Sequence, residues 1–423
     1  MTSYRIKDIA RINRQTLPED TDPDFRFRYV DISAVDSLGN VTVPEDDITF
    51  AKAPSRARRL ASAGSVAIST VRTYLRAIGT VPETRDPLVF STGFAVLEAG
   101  PLADGRFLAY YCRSQPFIDD VVARSTGVSY PAINPSEIGN LPMPLLPLER
   151  QRRIADFLDA ETAHIDGLIQ SRKAQIELLR DRQAALKARC VTYDGADRLE
   201  HPVLGRINPF WKILPLRRAI PAINVGVVIN PSHFFSESGV PFIHGFNVRE
   251  GFISSNGMKF MTEEDNEAHR RSKVFAGDVL VVRAGATAGR AAMVGDEFNK
   301  SNCASVLILR RSEGVYPKYL ETFFNSASGK GQVSFSQYGA AQEVISAGQV
   351  GSFVLPVPEL NEQKERVARL EAATRQTSHL ENAFHNQVAI LQERRQALIT
   401  AAVTGQFDVS TASGRNVTEG VPA

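Results

Sequence analysis

Cysteine is scarce in this chain of 423 residues: Cys112, Cys190 and Cys303 stand far apart, with no CxxC spacing and no histidine pair beside them. That excludes a disulfide framework, argues against a zinc site, and leaves three reduced structural thiols. Long apolar runs are missing as well. Nothing approaches the roughly 20 residues that span a bilayer, and MTSYRIKDIARINRQ at the start has no signal-peptide core, so a cytoplasmic protein is expected. An excess of one charge is also missing. Lys and Arg number 49 against 47 Asp and Glu, a net +2, so any surface for nucleic acid has to be local and offset elsewhere. Hydrophobic content of 43% with 23% charged residues is that of a globular protein, and the length implies two or more domains.

Catalytic signatures are equally thin. GATAGR at Gly285–Arg290 has the glycines of a phosphate loop without its Lys-Ser/Thr. No HExxH occurs, and His164, His201, His233, His244, His269, His379 and His385 are scattered. Glu362-Gln363-Lys364 mimics the end of a nuclease motif but has no metal-binding Asp at suitable spacing. Asn208-Pro209-Phe210-Trp211 resembles the NPPF/NPPY loop of adenine methyltransferases, minus the second proline and a Gly-rich cofactor strand. The chain is therefore expected to be non-catalytic, with no cofactor and no metal of its own.

What the chain does contain is an internal repeat. RDRQAALKARCVT at Arg180–Thr192 returns as QERRQALITAAVT at Gln392–Thr404, a shift of 212 positions. The same shift pairs Gln151 with Gln363, Leu158 with Leu370, Leu168 with Leu380 and Leu179 with Leu391. Organisation follows from it: a globular segment at 1–146, a long helix at 147–195, a second globular segment at 196–357, a second long helix at 358–406, and a Ser/Thr/Gly-containing tail at 407–423 expected to be disordered. The helical segments are dense in Ala, Leu, Glu, Arg and Gln, and their interiors hold no proline. With Gln151 and Gln363 at heptad position a, that column also holds Leu158, Ile165, Arg172, Leu179 and Leu186, then Leu370, Thr377, Phe384, Leu391 and Leu398. The d column adds Ile154, Leu168, Ala373 and Leu380, and the e column Ile169, Ile176, Val367 and Val388. Such a broken 3.5-residue seam suits two helices packed on each other with some polar residues inside. About 40 residues at 1.5 Å rise give a rod of roughly 60 Å.

Outside the helices the repeat is weak. Gly127 and Gly339, Ile133 and Ile345, and Pro144 and Pro356 keep the offset, and a run from Gly64 to Arg72 mirrors one from Gly277 to Arg283, each ending in Val-Arg. One scaffold carrying two different recognition surfaces is expected. Each globular segment sets basic residues beside hydroxyls, amides and aromatics on Gly-bounded loops. In the first these are Lys52, Arg56, Arg58 and Arg59, then Arg72, Thr73, Tyr74 and Arg76, and Arg124, Ser125 and Thr126. The second offers Arg283, Thr287 and Arg290, then Lys330, Ser336, Gln337 and Tyr338. The mixture fits DNA reading, because Arg and Lys neutralise phosphates while Arg, Gln, Ser and Thr match base edges.

The pattern resembles the specificity subunit of type I restriction–modification enzymes, over nearly the whole chain. The most specific pieces are LPMPLLPLERQRRIADFLD at Leu141–Asp159 and VLPVPELNEQKERVARLEA at Val354–Ala372, which look like that family's P-L-x-E-Q-x-x-I-x-x-L signature. Arg150 departs from the usual Glu, and one extra residue separates Gln363 from Val367. GDVLVVRAGATAGRAAMV at Gly277–Val294 also looks like a recurrent strand–loop of these proteins. The resemblance implies an α+β fold, with two mixed α/β target recognition domains joined by two long helices in an antiparallel coiled coil with pseudo-two-fold symmetry. It implies double-stranded DNA as ligand, read as a bipartite asymmetric target. It also implies two methyltransferase (modification) subunits as partners, with motor-nuclease (restriction) subunits in complexes that cut. S-adenosylmethionine, Mg and ATP would reside in those partners alone. The competing reading is a coiled-coil protein-interaction scaffold that never touches DNA.

Overall fold

The computed structural model describes residues 3–127, 130–144, 146–192, 199–228, 235–337 and 344–409. Two compact units make up the chain: Met1–Lys173 with His385–Ala423, and Ala174–Phe384. The long helices run over Leu148–Val191 and Leu360–Thr404, a little shorter at each end than the sequence suggests. Each contributes one part to each unit, so the compact units cut across the order of segments along the sequence.

Within the first unit, Asp166 pairs with Arg395 at 2.9 Å, and the Phe157 and Phe407 rings lie 5.6 Å apart. Within the second, Arg180 meets Glu381 at 3.0 Å, Gln183 donates to Thr377 at 3.2 Å, and Arg366 donates to the carbonyls of Arg189 and Thr192 at 3.2 and 3.1 Å. In both units the partner's number falls as the residue number rises, so the helices pack antiparallel. The expected d column holds only at Ile154, which is buried; Ala373 is half-buried, and Leu168 and Leu380 are 37% and 44% exposed. The e column carries the seam: the expected Ile169, Ile176 and Val367 are buried, and so are Ala155, Thr162 and Cys190, each four residues after an a position. Ala and Thr attract no notice in a search for large apolar side chains, yet this 4-3 alternation is the true heptad seam. One polar layer differs between the units. Arg395 and Asp166 of the first correspond, by the 212-residue shift, to Gln183 and Ser378 of the second, which lie 3.4 Å apart. The tail begins later than 407, because Phe407 and Val409 pack on the first core; residues 410–423 lie outside the described residues.

The globular parts share far more backbone than sequence. In the first unit, strands Ala10–Ile12, Phe94–Ala99, Val66–Ser69 and Ile78–Thr80 lie side by side in that order, all antiparallel. Ile223–Val225, Val306–Leu309, Val279–Val282 and Ala291–Met293 do the same in the second. Register is retained: Val66 faces Leu97 and Thr80, as Val279 faces Leu309 and Met293. A second sheet in each has a parallel pair, Arg26–Val30 with Leu88–Ser91 and Val240–His244 with Asn302–Ala304. Helices Gly105–Cys112 and Gln115–Ala123 correspond to Pro317–Asn325 and Ala327–Gln337. Core positions follow suit, with Leu97, Phe107 and Ile138 matched by Leu309, Tyr319 and Val350, all fully buried. Alternation of apolar residues on short strands satisfies many sequences, which is why the kinship is faint in the letters.

One glutamine fastens each globular part to a long helix. Gln151 Oε1 accepts from the Asp104 N–H at 2.8 Å, and its Nε2 donates to the carbonyls of Leu102 and Leu146 at 3.0 and 2.8 Å. Gln363 repeats all three bonds, with Tyr316, Gly314 and Pro358, at 2.8, 3.0 and 2.8 Å. Both side chains are wholly buried. Each uses its buried amide to accept from one donor and to donate to two acceptors, which is the condition for a buried polar group to stabilise.

Candidate nucleic-acid interface

Between strands Val66–Ser69 and Ile78–Thr80 the first unit carries a tight 3-10 turn at Thr73–Leu75. It is braced from a second loop. Val71 and Thr126 both bridge to Ala132, and Arg72 N–H donates to the Pro131 carbonyl at 2.7 Å. The Thr73 hydroxyl lies 2.8 Å from that of Ser125, which itself donates to the Val121 carbonyl at 2.8 Å, so Thr73 is the donor between the two hydroxyls. Thr73 is buried, whereas Arg72, Tyr74, Leu75, Arg76 and Thr126 are exposed. The Arg72 guanidinium sits 4.9 Å from the centre of the Tyr130 ring, a cation–π contact. Arg76 opens onto a cleft of about 640 Å³ that Gln115, Gln392 and Gln396 also line. The structure thus gathers Arg72, Thr73, Tyr74, Arg76, Ser125 and Thr126 around one loop pair. Tyr130, overlooked in the sequence, joins them; its only signal was an aromatic residue just beyond Gly127.

The second unit builds the same turn with other residues. Arg72 and Arg76 have φ of 51° and 55°, and the matching positions, Gly285 and Gly289, have φ of 74° and 85°. Left-handed backbone costs a residue with a Cβ on the order of 1–2 kcal/mol, so the arginines are held there against local preference. The expected pairing of Arg72 with Arg283 fails. The Ile133 N–H donates to the Thr70 carbonyl as the Ile345 N–H donates to that of Arg283, both at 2.8 Å. Arg283 therefore matches Thr70, and repetition of the dipeptide Val-Arg was coincidence. The Arg283 side chain is half-buried and its Nε is enclosed with no hydrogen-bond partner among the described residues.

Thr287, Arg290, Lys330 and Gln337 line one cleft of about 610 Å³, together with Gly285 and Glu250. Glu250 binds Lys330 at 2.6 Å and Lys187 at 2.9 Å. Burial alone pushes its carboxyl upward, but the two ammonium groups outweigh that and hold it below the usual carboxylate range. Ser336 faces elsewhere: its hydroxyl donates to the Val333 carbonyl at 2.7 Å, and it lines a different cleft with Phe335 and Gln349. Helical spacing explains the split, since neighbours on a helix point about 100° apart. Tyr338 and Gly339 lie outside the described residues.

Other candidates have protein partners. Arg56 pairs with Asp31 at 2.8 Å, Arg58 covers the Phe50 ring at 4.7 Å, Arg59 donates to Thr16 at 3.1 Å, and Arg124 pairs with Asp120 at 2.7 Å. The methyltransferase-like Asn208–Trp211 is a structural anchor. Trp211 is buried, donates to Glu362 at 3.2 Å and is covered by Arg366 at 4.4 Å. All three cysteines are buried free thiols, and burial pushes that of Cys190 up to about 12. Among the described residues no group of His, Cys, Asp and Glu is placed to hold a metal ion, and no helix is long and apolar enough to cross a membrane.

Comparison with known proteins bears on the family and the fold. The family profile of the type I restriction modification DNA specificity domain matches residues 1–178 and 237–389. The type I restriction enzyme EcoKI specificity subunit of Escherichia coli strain K12 is 25% identical over 337 residues, 75% of this chain and 69% of that protein. The EcoBI specificity subunit of Escherichia coli is 22% identical over 316 residues, 70% of this chain and 65% of that protein. A solved structure concerned with complex assembly and conformational transition of the type I R-M system shares the fold, with a TM-score of 0.76 at 24% identity over 96% of this chain and 98% of that one.

Proposed function

Because the chain belongs to the type I restriction modification DNA specificity family, we propose that it reads a bipartite, asymmetric DNA target, one half with each globular unit. The observation that carries this reading is one turn built twice with different chemistry: Arg72, Tyr74 and Arg76 in the first unit, Gly285, Thr287 and Gly289 with Arg290 in the second. Equivalent backbones bring equivalent loops to DNA; unlike side chains make the two half-sites unlike. Arg and Gln supply bidentate donors for base edges, Thr and Ser either partner, and glycine a close backbone approach. The chain supplies recognition, and it assembles with other subunits of a restriction–modification complex. Those partners are two modification subunits, with motor-nuclease subunits in a restricting complex, and they hold S-adenosylmethionine, Mg and ATP.

Methylation mapping in the host with and without this chain is the direct test. A split motif with two different halves and an unspecified spacer should vanish when the chain is deleted. A continuous or palindromic motif, or no change, would sink the proposal.

The paired helices then serve as the ruler for the spacer. Removing one heptad from each helix, symmetrically about the seam, keeps the 4-3 alternation and shortens each rod by about 10 Å. The permitted spacer should contract by about three base pairs, at 3.4 Å each. An unaltered spacer in the mapped motif would exclude the ruler.

A further inference from the structure

We propose that the Tyr74–Leu75 tip is a wedge that enters a base step in the half-site read by the first unit, and that the second unit inserts nothing at the matching place. The inference rests on the DNA-reading role argued above and adds a mode of readout to it. Tyr74 and Leu75 are 55% and 45% exposed at the apex of a turn only three residues long. Nothing about the apex is loose. The Leu75 N–H donates to the Arg72 carbonyl at 2.8 Å and the Arg76 N–H to the Thr73 carbonyl at 3.1 Å, while the buried Thr73 hydroxyl is bonded to Ser125. An arginine stands on either side, in the left-handed backbone that glycine occupies in the other unit.

Those glycines show what this turn needs for comfort, so two arginines at the same positions point to work done by their side chains. Two cations astride an exposed aromatic–aliphatic pair match a polyanion whose interior is stacked and apolar. Apolar wedges flanked by Arg are a recognised way to part a base step and bend the duplex, and pyrimidine–purine steps yield most easily. In the second unit the same apex is Ala286-Thr287-Ala288 between glycines. It has no side chain large enough to part bases, but its backbone can approach them closely.

The test uses the full chain assembled with its modification subunits, without S-adenosylmethionine. Its probes are duplexes of the mapped target carrying 2-aminopurine at each step in turn, the methylated bases left unlabelled. One step in the first unit's half should brighten several-fold on binding, and no step in the other half should. Tyr74→Ala with Leu75→Ala should return that step to the level of free duplex and weaken binding about ten-fold, with discrimination at the second half retained as proof of folding. Leu75→Phe keeps a wedge and should keep the signal. Specific binding with no brightening, or brightening that survives the double alanine variant, overturns the wedge and leaves DNA recognition standing. A wild-type complex that cannot tell its target from scrambled DNA would remove the underlying reading itself.

Discussion

Gln363→Leu destabilises the second unit by about 4 kcal/mol, a drop in Tm on the order of 10 °C for a unit of this size. Leucine fills nearly the same space, so the loss is not one of packing. It strands the Tyr316 N–H and the carbonyls of Gly314 and Pro358, all bonded to Gln363 now. An enclosed donor or acceptor left unmatched costs about 1–3 kcal/mol. Gln363→Glu, which keeps the acceptor oxygen and forfeits the donor, should fall further still if its carboxylate stays charged beside two carbonyls. Gln151→Leu should do the same to the first unit, because its bonds are the same three. Thermal unfolding followed by circular dichroism decides the matter: a shift equivalent to less than about 1 kcal/mol would mean that the glutamines are passengers.

Arg283→Ala weakens recognition of one half-site about 10- to 100-fold, the range for one base-reading arginine, and leaves the other half untouched. Stability should hold or rise, the reverse of the glutamine case. The Arg283 Nε is enclosed and unmatched among the described residues, so deleting it removes a liability unless DNA supplies the missing acceptor. Competition binding against targets altered in one half at a time reads the result. Equal losses at both halves would reassign Arg283 to phosphate contact or to support of the fold.

Both variants concern residues the sequence exposed only in part. The repetition of Gln151 at Gln363 is plain in the letters, but a glutamine at the head of a helix gives no hint that it is buried with its amide fully bonded. Helix pairing was legible from the 3.5-residue period; its second column was legible only in part, at Ile169, Ile176 and Val367, since Ala155 and Thr162 do not announce themselves as core. Kinship of the globular parts lies mostly in strand register, a backbone property; of the matches in letters, Ile133 with Ile345 is true, whereas Val71-Arg72 with Val282-Arg283 is two positions out. Of the candidate contacts, the loop around Arg72–Arg76 came together with Ser125 and Thr126 because Val71 and Thr126 both bridge to Ala132, in the loop that follows helix Gln115–Ala123. Ser336 and Gln337 parted because they are consecutive on a helix, something that composition cannot reveal.

The interleaving of the two units also bears on birth at the ribosome. Ala174–Phe384 is an unbroken stretch and can close on itself as soon as it has emerged. Met1–Lys173 must wait for His385 onward, with Ile154, Leu158 and Ile165 lacking the cover that Leu398, Ile399 and Ala402 later provide. The part made first is finished last. A transcript cut short after the second unit would release a product with one sound head and one whose core lies open.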